Sequence, residues 1–326
     1  MEILENVKVP TGNILIGSGE KGKLEFLSIG DYGKEKNIKA DFLGLSREIN
    51  GVPNGEIMSL AEKWVITLSS QYGCSMGCKF CDVPTVGGGI NATLKDLTDQ
   101  VINALKLHPE IESTKRLNIH YARMGEPTLN YNVIEHAIGL SKEIRPHIGK
   151  SHVHPVVSTM MPILNSRLTG FLHDWCEIKN SIFKGSAGLQ LSINSTCDIQ
   201  RVNMFNGSSL SLDTISKIGA SLPNPKGRKY TLNFALADEY ELNAHKLSNL
   251  FDTDKFMIKI TPMHLTSACS KNDIKTTDGY SYFTPYKEIE EELKEYGFDV
   301  LVFIPSREED ESMITCGNAI LSNNKQ

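Results

Sequence analysis

Short apolar runs alternate with stretches of helical period along most of this 326-residue chain. The runs at 64–68, 117–122, 153–159, 189–194, 230–236, 256–261 and 300–304 are rich in aliphatic and β-branched residues and read as strands. Between them, 94–107, 133–144, 212–222, 244–251 and 286–296 repeat apolar residues at helical spacing. Strands and helices alternating at this length predict a parallel sheet with crossover helices. Six or so such units suit a partial (β/α)6 barrel, where functional residues gather at the C-terminal ends of the strands. The first 60 or so residues differ. There, 13–16 and 24–29 are strand-like and flank Gly17-Ser-Gly-Glu-Lys-Gly-Lys23. That stretch fits two phosphate-loop patterns, but each needs a helix to begin at once, and Leu24 stands where one of them needs Ser or Thr. It reads as a β-hairpin whose glycines serve the turn. The expected organisation is a hairpin-rich segment 1–62, an α/β barrel over 63–305 and a C-terminal segment 306–326, its last residues 322–326 frayed.

Composition narrows the setting. No run of about 18 apolar residues occurs, so no membrane span is expected. The acidic start, Met1-Glu-Ile-Leu-Glu-Asn6, has no apolar core of a secretory signal. An odd count of seven cysteines points to the reducing cytoplasm. The net charge of −5 lacks the basic excess of a free-standing nucleic-acid binder, and the best basic cluster, Lys226-Gly-Arg228-Lys229, is short.

The chemistry begins with Cys74, Cys78 and Cys81, spaced C-x₃-C-x₂-C just after the run 64–68. A [4Fe–4S] cluster takes four thiolates. Three close ones hold three irons and leave the fourth open to a small molecule. Phe80, between the second and third cysteines, would shield one side from water. Structural zinc is the other reading, but such sites normally close with four ligands, and no second cysteine pair follows. The spacing favours the cluster.

This motif resembles the radical S-adenosylmethionine (SAM) superfamily, whose fold is the partial (β/α)6 radical SAM barrel. The resemblance implies SAM on the open iron, an electron donor such as flavodoxin or ferredoxin, and a SAM pocket at the strand ends. Arg123-Met-Gly-Glu-Pro127 ends one strand, where Glu126 could hold the SAM ammonium and Gly125 lets backbone approach closely. Ser158 ends the next strand, Ser192 and Asn194 another, and His264 follows a third. Singly, Ser or Asn at a strand end more often caps a helix.

Taken in order, the motifs resemble the RlmN/Cfr-type radical SAM methyltransferases, which act on adenine C2 or C8 in RNA. The matching segments are Ser69-Ser-Gln-Tyr-Gly-Cys74 through Cys81, Arg123 to Asn130, Ser158-Thr-Met-Met-Pro162, Ser192-Ile-Asn-Ser195 and Ile314-Thr-Cys316-Gly-Asn318. The resemblance makes Cys316 the methyl-carrying cysteine and Glu56, through a gapped alignment, the counterpart of a proton-accepting glutamate. It implies an RNA or adenine-containing nucleotide as substrate. Two departures stand out. Thr67 occupies the position of the family's second, adduct-resolving cysteine, and a hydroxyl cannot form that disulfide. Cys176, Cys197 and Cys269 are the remaining thiols, with Cys197 best placed to substitute. The family's N-terminal helical RNA-binding domain has no counterpart; residues 1–60 stand in its place. The alternative expectation is a radical SAM enzyme on the same scaffold acting on a small metabolite, nucleotide or peptide without the two-cysteine chemistry.

Overall fold

A computed structural model describes residues 1–31, 38–39, 59–149, 151–275, 284–305 and 307–325. In chain order the strands are β1 (Glu2–Val9), β2 (Gly12–Gly19), β3 (Gly22–Ile29), β4 (Ile38–Lys39), β5 (Trp64–Leu68), β6 (Gln71–Gly73), β7 (Gly88–Asn91), β8 (Leu117–Tyr121), β9 (Val153–Thr159), β10 (Gly188–Ser192), β11 (Tyr230–Leu236), β12 (Phe256–Pro262) and β13 (Val300–Ile304). The helices are α1 (Leu94–Lys106), α2 (Asn132–Ile144), α3 (Leu168–Ser181), α4 (Asp198–Met204), α5 (Leu212–Ser221), α6 (Ala244–Leu250), α7 (Ser267–Lys271), α8 (Thr284–Glu295) and α9 (Arg307–Glu311).

Eleven strands form one sheet in the order β1-β2-β3-β5-β8-β9-β10-β11-β12-β13-β4. From β5 to β13 neighbouring strands run parallel. The six strands β5 to β12 of that series, each followed by helix, make the six β/α units of the barrel; β13 is a seventh parallel strand. β2 and β3 form the expected hairpin, and β1 adds a third antiparallel strand. β3 pairs antiparallel with β5, so this meander extends the barrel sheet.

Alternation sorts the side chains. Trp64, Ile66, Leu68, Leu117, Ile119, Tyr121, Leu232, Phe234, Ile258, Ile260, Val300 and Val302 are buried in one core with the apolar stripes of α1, α2 and α3. A strand's neighbouring positions face the other way. Thr67, His120, Ser158, Gln190, Ser192, Asn233, Lys259 and Thr261 therefore share the inner face, away from the helices. Helix starts follow local chemistry. Thr93 caps α1 through the Asp96 amide, with the Asp96 side chain returning the bond in a capping box.

The segment just before and into the tail expected to fray at 322–326 is ordered as far as Lys325, while 326 lies outside the described residues. Ile320–Lys325 is a 3₁₀ turn, and the Ile320 and Leu321 amides donate to the buried Glu25 carboxylate at 3.2 and 2.9 Å. Satisfied backbone donors on a buried acceptor hold the segment down. Among the described residues no helix is long and apolar enough to cross a membrane.

Candidate active site

Cys74, Cys78 and Cys81 lie on the loop after β6, each half-buried. The loop is held by its backbone: Cys74 N–H donates to Gly87 O at 2.9 Å, Lys79 N–H to Met204 O at 2.9 Å, and Asp82 N–H to Gly317 O at 2.8 Å. Burial pushes the Cys74 thiol up to about 11. Burial, and then the charge of the neighbouring cysteines, pushes Cys78 and Cys81 higher still. Three thiols that resist ionisation together are a donor set suited to a positively charged partner. Among the described residues no three Cys, His, Asp or Glu side chains close on a common point as ligands of a single ion do. A cluster takes one thiolate per iron, and this single loop carries three cysteines.

Phe80 and Cys78 pack against a cluster of buried side chains that includes Met160, Met204, Phe205 and Met263. Phe80 meets Phe205 edge to face, ring centroids 5.7 Å apart. The loop also grips α7. Asp82 accepts from Ala268 and Ser267 amides at 2.7 and 3.2 Å, and Thr266 donates its hydroxyl to Phe80 O at 2.9 Å.

The strand-end motifs close round this loop. Gly125 has φ +94°, and a Cβ there would lie 2.5 Å from Gln71 Cβ. The close approach made room for is thus Gln71, whose Oε1 accepts the Glu126 amide at 2.8 Å. Glu126 is buried; its carboxylate accepts from the Thr128 amide and hydroxyl at 3.0 and 2.7 Å and from the Met160 amide at 3.0 Å. Burial raises its pKa and these donors oppose the rise. The Thr159 hydroxyl also bonds this carboxylate, so protein donors surround it.

Ser158 donates to Gln190 Oε1 at 3.3 Å on the inner face. Ser192 stands in register with Asn233, and Asn233 with Lys259, forming a row across β10, β11 and β12. Asn194 is engaged inside the fold: at φ +59°, its Oδ1 accepts the Ala235 amide at 3.0 Å and its Nδ2 donates to Met204 Sδ at 3.3 Å. His264 Nδ1 lies 3.1 Å from Asp310 Oδ1 but out of line for a hydrogen bond. Glu56 lies outside the described residues.

Sequence reasoning passed over Asn233 and its neighbours. Thr231 Oγ1, Asn233 Oδ1 and Thr261 Oγ1 are buried, share the inner face and have no hydrogen-bond partner among the described residues. Orphaned polar atoms on one surface fit a polar ligand such as SAM. The alternation of β11 and β12 places 231, 233 and 261 on one face; that no protein group meets them only tertiary structure reveals.

Cys316 is exposed, and it neighbours the cluster loop. Gly317, at φ +92°, packs so closely that a Cβ would stand 3.2 Å from Phe80 O and 3.8 Å from Cys81 Cα. Crowding by surrounding atoms raises the Cys316 thiol pKa, while Lys259 and Arg123 pull it down. The other thiols lie elsewhere. Cys176 is buried in α3; Cys269 is buried behind the cluster loop, 3.7 Å from Phe80 O; Cys197 caps the start of α4. Thr67 faces inward on β5 beside His120.

No family model matches the chain. A radical SAM methyltransferase from Sphaerobacter thermophilus superposes with a TM-score of 0.63 at 18% identity, covering 97% of this chain and 80% of that one. The chain has the radical SAM fold. Radical SAM family enzymes, RlmN among them, use a [4Fe–4S] cluster and SAM. It also resembles the RlmN-type RNA methyltransferases in sequence. The dual-specificity RNA methyltransferase RlmN of Helicobacter hepaticus is 37% identical over 89 residues, 27% of this chain and 24% of that protein. The ribosomal RNA large subunit methyltransferase N of Nitrosopumilus maritimus is 27% identical over 207 residues, 62% of this chain and 55% of that protein. The chain thus matches between about a quarter and about a half of the length of these curated relatives.

Proposed function

We propose that this chain is a radical SAM methyltransferase of the RlmN/Cfr type, using Cys316 as methyl carrier toward an adenine-containing substrate, RNA or nucleotide. The observation that carries the reading is the seating of Cys316: Gly317 O accepts the Asp82 amide, which directly follows the last cluster cysteine. Cys74, Cys78 and Cys81 would hold the cluster, in an apolar surround that excludes water. When bound, cluster and SAM together supply a methyl group and a 5′-deoxyadenosyl radical. Glu126, Ser158, Ser192 and the orphaned Asn233 and Thr261 oxygens would orient SAM. Asn194 and His264 would support the pocket wall. The charges of Lys259 and Arg123 offset part of the rise that burial imposes on the Cys316 thiol. Electrons would come from a flavodoxin- or ferredoxin-like donor.

One observation favours a second reading, in which the scaffold works on a smaller substrate without a resolving thiol. Thr67 replaces that thiol, and Cys176 is buried in α3. Intact-protein and peptide mass spectrometry of anaerobically reconstituted, SAM-fed protein separates the two. A single methyl on Cys316 is expected. An unmodified Cys316 would end the carrier reading and leave the second.

A further inference from the structure

A buried ion pair joins the first strands of the chain to its last residues. Glu25, on β3, is fully buried, and Arg123, opening the Arg123-Met-Gly-Glu-Pro127 turn, is 4% exposed. Arg123 Nε donates to Glu25 Oε1 at 2.9 Å, and Nη2 meets the same oxygen. What each partner has left goes to one place. Arg123 Nη2 donates to Met313 O at 2.8 Å and Nη1 to Thr315 O at 3.4 Å. Glu25 Oε1 accepts from the Ile320 amide and Oε2 from the Leu321 amide. The pair therefore bonds the backbone on both sides of Cys316. Ile314 fills the space beside it, packed on Ile14 and Leu27 of the meander. From the other side, Asp82 N–H holds Gly317 O, and Asp310 accepts from the Leu265 amide and the Thr315 hydroxyl.

We propose that Glu25 and Arg123 are positioning residues: their ion pair, supplied by the N-terminal meander and the Glu126 turn, fixes the 313–321 segment so that Cys316 stands at the cluster loop. This rests on the reading of Cys316 as methyl carrier for its catalytic meaning, not for its structural content. The chemistry of the pair suits the task. Charge-assisted hydrogen bonds are among the strongest a buried site can make. Planar guanidinium reaches two carbonyls while keeping its carboxylate, which an ammonium cannot do with the same geometry. The role also accounts for residues 1–31, which give the Cys316 segment a floor.

The test uses the full chain. Glu25→Gln places an amide NH₂ against the Leu321 or Ile320 N–H, donor against donor. In the metal-free protein, hydrogen–deuterium exchange of the Ile320 and Leu321 amides should quicken by about tenfold or more. In reconstituted protein, methylated Cys316 formed per SAM consumed should fall by about tenfold. A second variant guards against simple misfolding. Glu25→Leu/Arg123→Met replaces the pair by apolar groups, a change that commonly leaves stability near the starting value. Its melting temperature should stay close to that of the parent while the exchange remains fast. Unchanged exchange in Glu25→Gln would overturn the proposal, as would a double variant in which slow exchange and coupling both return. Should parent Cys316 carry no methyl, the carrier reading fails while the exchange experiment still decides the clamp.

Discussion

Two buried polar regions of this molecule are built on opposite principles. Around Glu25 and Arg123, the charged pair and the four backbone groups it meets are bonded to one another. Across β11 and β12, three buried oxygens, on Thr231, Asn233 and Thr261, have no partner among the described residues. Both regions adjoin the cluster loop or the inner face, so burial alone does not distinguish them. The difference is that the chain closes the first with its own C-terminal segment and leaves the second to be completed by something else. A saturated network holds a shape; an unsaturated one waits for a ligand.

The comparison can be broken most forcefully at Arg123. Arg123→Met leaves the Glu25 carboxylate buried beside unanswered carbonyls and should destabilise the fold by about 3–5 kcal/mol, read from chemical denaturation. A loss under about 1 kcal/mol, the scale of a surface pair, would show that the closed region is not what holds the segment.

A smaller effect comes with pH. Burial holds His120 and His136 down to about 3. For His120, the charges of Lys259 and Arg228 add to this. Both are neutral in the folded state while the unfolded chain takes up protons below about 6.5. Their contribution is therefore complete above that pH and is lost as pH falls from about 6.5 toward 3, by up to about 1.4 kcal/mol per unit for each histidine. Denaturation curves between pH 7 and 5 should show this slope, and His136→Phe should flatten part of it. An unchanged slope in that variant would place the lost protons elsewhere.

The mildest test sharpens the open region. Thr261→Val deletes an orphaned hydroxyl at nearly constant volume, so stability should be unchanged or rise by up to about 1 kcal/mol. SAM binding, followed by calorimetry on reconstituted protein, should weaken by several-fold. If the variant lost stability and kept its affinity, the unpartnered oxygens would belong to the scaffold and not to the ligand site.

The strand–helix series was legible because its cues are local. Alternation within 64–68 or 300–304, and helical spacing within 94–107, lie inside single elements. Cys74, Cys78 and Cys81 could be read for the same reason, their chemistry being written in their spacing. Glu25 could not. It sits in an apolar run as an ordinary hairpin residue, and its partners at 123 and 320 are 98 and 295 positions away. Gly125 shows a partial success: glycine was needed for a close approach, but the approaching group is Gln71. Asn194 reads as a ligand-facing amide by type, yet its backbone at φ +59° turns that amide onto Met204 and Ala235. The capture of the Ile320 and Leu321 amides could not be read either, because only the folded sheet supplies the carboxylate that takes them.

The span of the Glu25–Leu321 bond, 296 positions, also sets a timetable. Contacts between residues so distant form late, since the loop they close must be ordered first. During synthesis, Cys74, Cys78 and Cys81 emerge with most of the barrel still unmade, and the turn that seats Cys316 follows the whole of it. A ribosome-bound chain would thus carry its three thiols before it has the means to set the fourth beside them. Under the proposed carrier role, a chain loaded with its cluster before residues 313–321 dock would not yet be assembled for methyl transfer.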